Sequence, residues 1–108
     1  MREVDFSGSN MRGTRLFGAQ AIGAKFVGAD LTGASLEAGN FEGADFTNAV
    51  LETATVQAAS FKGAVLTGSD WTDVLLRKDQ QLELCANKTA AGTNAKTGVD
   101  TRESLLCP

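Results

Sequence analysis

Histidine and tyrosine are absent from this 108-residue chain, and proline occurs once. Without histidine, the commonest metal ligand and the commonest general base near neutral pH are missing. No apolar run is longer than a few residues, so membrane insertion is not expected. Basic residues are also too few to dominate. Ten Lys and Arg stand against thirteen Asp and Glu, a net charge of −3. That balance leaves no electrostatic footprint for nucleic acid or an anionic membrane. No secretory leader is visible before the first regular pattern, so an exported form would have lost its targeting segment from the chain shown. At this length, one small domain is expected.

What the chain does have is a period of five. From Val4 it divides without a slip into fifteen units, VDFSG through VLLRK, ending at Lys78. The central residues run Phe6, Met11, Leu16, Ala21, Phe26, Leu31 and onward to Trp71 and Leu76, and only Ala21 among the fifteen is small. The first residue of each unit is usually Ala, and the last is often Gly. A helix needs apolar residues three and four apart, and a strand needs them two apart. Regular glycines weaken both, at roughly 1 kcal/mol each in a helix interior. Short extended pieces, each followed by a bend, meet both objections. Such bends wind a solenoid with the large and small columns inside, since residues two apart share one side of an extended backbone.

The units ADLTG and ADFTN resemble the pentapeptide-repeat family, whose pattern is A(D/N)LxG. The resemblance covers residues 4–78 and implies an all-β solenoid. Its expected form is a right-handed quadrilateral β-helix of nearly four coils, one unit per side. Residues twenty apart then stack, giving columns such as Phe6, Phe26, Phe46 and Leu66. Ala21 is expected to leave the first coil loosely packed. Type II corners are expected where Gly8 to Gly33 supply positive φ, with irregular corners around residues 48–58, where Asn48, Thr53 and Ala58 replace glycine.

After Lys78 the period stops, and residues 79–108 read as an α-helical C-terminal cap on a 1–78 β-helix. Two short helices are expected, near 77–87 and 101–106. The first has Leu82 and Cys85 at helical spacing; the second opens on Asp100 and Glu103 as a capping box. Such a cap would cover an open backbone edge. Cys85 and Cys107, the only cysteines, are either free buried thiols or a disulfide. The disulfide is the preferred reading, because closing about twenty residues would stabilise weak helices by roughly 3 kcal/mol. Zinc is not expected, since two thiols without His lack partners. A disulfide implies an oxidising compartment. Repeat and tail together resemble the lumenal pentapeptide proteins of plants and cyanobacteria, which implies the thylakoid lumen or another oxidising extracytoplasmic compartment.

For function, the residues point away from catalysis. Acids and serines fall at outward positions, and the glycines are corner residues with no strand-to-helix phosphate loop. No enzyme activity, cofactor or metal is expected. Five acids between Phe26 and Phe61 (Asp30, Glu37, Glu42, Asp45, Glu52) face no base in that stretch and read first as a solvated belt. The fluoroquinolone-resistance branch of the family, which mimics DNA and binds topoisomerase, supplies the alternative function, although its towers are longer and more acidic. Three consecutive apolar residues at outward positions, Phe17, Ile22 and Val27, stand out. With Arg12 they form the candidate interaction surface, for an unknown protein partner or for self-association through the first coil. The expected role is a non-enzymatic structural or interaction module.

Overall fold

The computed structural model describes residues 3–108; Met1 and Arg2, at the head of the expected 1–78 unit, lie outside the described residues. Parallel bridges join residues twenty apart from Asp5↔Lys25 and Asn10↔Asp30 through to Thr55↔Leu75. The chain therefore climbs one coil every twenty residues. A bend at every fifth residue gives each coil four sides, and these sides begin at residues 4, 9, 14 and 19 of the first coil. Within a side the bonding alternates. The Phe6 amide donates to the Lys25 carbonyl at 2.7 Å, while the Lys25 amide donates back to Val4 at 2.8 Å.

The inward columns stack in register. Phe6, Phe26 and Phe46 lie nearly parallel, with ring centroids 5.4 and 5.0 Å apart. Phe41 and Phe61 stack at 5.5 Å in the neighbouring column, meeting the first edge to face. Such aromatic pairs add roughly 0.5–1.5 kcal/mol beyond their burial. Ala21 is fully buried beneath Phe41, so its small side chain leaves nothing exposed. Gly39 explains itself at an inward first position: a Cβ there would lie 2.4 Å from the Phe41 ring.

The corners differ from expectation. Ala38, Asn48, Thr53, Ala58 and Asp73 hold φ of 56–60°, close to the 67–71° of the corner glycines. Each is the third residue of a turn closed from the first carbonyl to the fourth amide, as Ala54 to Leu51 and Ala59 to Val56. That is the same left-handed corner throughout, with no irregular stretch at 48–58. The coil above and below sets the conformation; Thr53 also donates to Thr72. This overrides a left-handed penalty of roughly 1–2 kcal/mol per non-glycine residue.

The last parallel bridge is at Leu75. Helix α1 (Lys78–Ala86) then takes the place of the next side and lies over residues 59–63, and a four-residue helix α2 (Thr101–Ser104) follows a loop. The inward residue of α1 is Leu84, 3% exposed, whereas Leu82 is 46% exposed. This corrects the Leu82 spacing. The reason is chemical: the surface to be covered is a row of backbone groups, so amides lead. Gln80 Nε2 donates to the Val56 carbonyl at 2.8 Å, and Gln81 Nε2 donates to the Leu105 and Leu106 carbonyls. Asp100 caps α2 by accepting from the Glu103 amide. Cys85 and Cys107 form a disulfide, Cα atoms 5.7 Å apart, tying the end of α1 to the chain end.

Candidate functional site

Residues at the fourth position of each unit sit outward, just before a corner. Arg12, Phe17, Ile22 and Val27 occupy that position on four successive sides, so they wrap the first turn as a belt and do not form one flat patch. Phe17 is 72% exposed, while Ile22 and Val27 are half-buried. Arg12 is drawn onto the coil above, its Nη1 3.2 Å from Asp30 Oδ2. Phe17 stands under a polar row on its side, Glu37, Gln57 and Arg77, with exposed Arg15 two residues before it. Among the described residues Arg15 has no ion-pair partner.

The first coil is open below. The amides of Lys25, Asp30 and Ser35 donate down to Val4, Ser9 and Thr14, but those of Asp5, Asn10 and Arg15 have no acceptor among the described residues. Phe6 is half-buried, and Met11 and Leu16 are slightly exposed, where Phe26, Leu31 and Leu36 one coil above them are fully buried.

Sequence reasoning placed the outward acids as surface charge and missed their local work. Asp30, Asp45 and Asp70 each take the amide and the hydroxyl of a Thr two residues on, at Thr32, Thr47 and Thr72. The Asp-x-Thr spacing, three times over, was the available signal. These contacts tie the outward face to the corner. Burial pushes the Asp30 carboxyl up, but the Thr32 hydroxyl and amide and the Arg12 guanidinium outweigh it and hold its pKa below the ordinary value. Glu37 is also held low, by the Ser35 and Thr55 hydroxyls. Asp5 is lowered by Ser7. The acidic belt of Asp30, Glu37, Glu42, Asp45 and Glu52 is spread over all four sides, with Asp30 and Glu52 together on the second.

Chemistry has little to work with. Among the described residues no three His, Cys, Asp or Glu side chains gather to hold a metal. Crevices of 140–230 Å³ run between α1 and the side below it, lined by Ala59, Phe61, Gln80, Glu83 and Leu84. Among the described residues no helix is long and apolar enough to cross a membrane.

Comparison with known proteins decides the family. The pentapeptide-repeat family model matches residues 1–37 and 14–52. A solved pentapeptide repeat protein from the Arabidopsis thaliana thylakoid lumen is 42% identical, over 98% of this chain and 86% of that one, with a TM-score of 0.59. This chain belongs to the pentapeptide-repeat family. A second member, Rfr23 from the cyanobacterium Cyanothece, is 28% identical over 72% of this chain and 53% of its own, with a TM-score of 0.70. Thylakoid lumenal 15 kDa protein 1 of Arabidopsis thaliana is 57% identical over 42 residues, 39% of this chain and 18% of that protein's length. These pentapeptide-repeat neighbours are right-handed β-helix solenoids, and this chain shares that architecture. It is a pentapeptide-repeat protein of the thylakoid-lumen type.

Proposed function

We propose that this chain is a rigid, non-enzymatic interaction module of the thylakoid lumen, engaging a protein partner through the belt of Arg12, Phe17, Ile22 and Val27. Its frame is a quadrilateral β-helix of nearly four coils, residues 1–78, closed by a 79–108 cap. The observation that carries this reading is Phe17, a large ring left 72% exposed on a scaffold that turns every other aromatic ring inward, burying five and half-burying Phe6. Exposing a Phe forgoes roughly 1.5–3 kcal/mol of burial, which a partner can recover. The topoisomerase-type alternative gains nothing from the structure, since the acids are divided among four sides.

The test is crosslinking in thylakoid-lumen extract, followed by mass spectrometry. The Phe17→Ser/Ile22→Ser double variant should keep its far-UV spectrum and lose the captured proteins. Capture of the same set by the folded double variant would contradict the proposal.

A further inference from the structure

Phe17 and Arg15 lie on the third side of the first coil. Three coils higher, that side ends beside a groove of 290 Å³ between the last coil and α2. Its lining includes Thr72, Asp73, Val74, Val99, Glu103 and Leu106. Leu106 is 77% exposed, and neighbouring Leu75 is 74% exposed. Asp73 and Glu103 have no ion-pair partner among the described residues. Small-molecule sites usually occupy about 300–1,000 Å³ and are largely enclosed. This groove is smaller and open, of a size for a side chain.

The two ends of the molecule are thus complementary. One end offers an exposed aromatic ring with an unpaired base; the other offers an exposed apolar groove edged by two unpaired acids. We propose that the groove receives the Phe17 side chain of a second copy, with Arg15 set against Asp73 and Glu103, so that copies associate head to tail. This rests on the reading of the first-coil belt as an interaction surface and names its partner. In this head-to-tail arrangement the contact is heterologous: each assembly keeps a free knob at one end and a free groove at the other, and growth is open-ended. Opposite charges at the rim steer the encounter and make it salt-dependent.

Sedimentation velocity on the purified chain tests this. The weight-average sedimentation coefficient should rise with concentration and fall back as salt is added. Phe17→Ser keeps the groove and Leu106→Ser keeps the knob, so each alone should be monomeric. A 1:1 mixture of the two should form a heterodimer and nothing larger. Near-UV spectra reporting on Trp71 check that both variants remain folded. Association lost in Phe17→Ser but retained in Leu106→Ser would overturn the groove while leaving the belt intact. Association unchanged in both variants would overturn groove and belt together. A wild-type chain that stays monomeric at every concentration would overturn self-association, and lumen capture through Phe17 would then judge the belt by itself.

Discussion

The two ends of the solenoid are built from the same repeat but finish differently. At the first coil, the amides of Asp5, Asn10 and Arg15 have no acceptor among the described residues, and Phe6 is only half-buried. At the last coil, the equivalent edge is filled over residues 66–71. Thr89 Oγ1 accepts from the Leu66 amide at 2.8 Å, the Ala91 carbonyl accepts from Gly68 at 2.8 Å, and Ser104 Oγ accepts from Trp71 at 2.9 Å. Asn94, 1% exposed, donates to the carbonyls of Ala49 and Gly68. An open β edge is a template for another chain. The difference teaches that this protein closes one end with polar side chains set on the backbone row and with Leu84, Ala90 and Leu105 packed over the core. The unclosed end is where association is free to occur.

The strongest way to break this comparison is to truncate a column at each end. Trp71 is fully buried, with its ring 5.3 Å from Phe61 and its Nε1 donating to Ser69. Trp71→Ala should cost about 3–5 kcal/mol in urea unfolding. Phe6→Ala should cost less than half of that, because its ring is already partly in water. Equal losses would erase the distinction between the ends.

Removing the staple comes next. With Cys85→Ser and Cys107→Ser together, the loop of 22 residues is no longer closed, and about 3 kcal/mol should be lost. Thermal unfolding of the double variant, compared with reduced wild type, measures it. Reduction should lower the wild-type midpoint by a similar amount and leave the double variant unmoved.

Two glycines sharpen the account of the interior. Gly39→Ala should destabilise by about 1–3 kcal/mol, since the new methyl group meets the Phe41 ring. Gly63→Ala meets nothing within 4 Å, so only its φ of 69° opposes it. A loss of about 1 kcal/mol is expected there. Chemical denaturation of both variants separates crowding from backbone strain.

The smallest effect is with pH. Asp5, Asp30 and Glu37 are all held below their ordinary values of 3.8, 3.8 and 4.5. A carboxyl with a lowered folded-state pKa stabilises above its unfolded pKa, and that contribution disappears as pH falls through the folded value. The melting temperature should therefore be flat above about pH 5 and decline below about pH 4. Asp30→Asn should shallow that decline, and an unaltered slope would show that Arg12 and Thr32 contribute nothing through this carboxylate.

The columns were legible because a strict period leaves one arrangement in which like side chains meet; Phe6 over Phe26 over Phe46 follows from the count alone. The corners at Asn48, Thr53 and Ala58 were not, since local preference argued against a conformation that the neighbouring coils impose. The cap was half legible. Asp100 and the cysteines carry local signals, but Gln80, Thr89 and Asn94 have no periodicity, and their roles exist only once the carbonyls and amides of the last coil are in place. Of the candidate belt, the exposure of Phe17 was readable from its position in the unit. Its separation from Ile22 and Val27 onto other sides follows from the same geometry.

Native-state hydrogen exchange on the dilute monomer tests the unequal ends most directly. The amides of Leu66, Gly68 and Trp71 should be protected like those of Phe26 and Leu31 in the interior, while those of Asp5, Asn10 and Arg15 should exchange at rates near an unstructured chain. Protection of Asp5, Asn10 and Arg15 equal to that of Trp71 would contradict an open first coil.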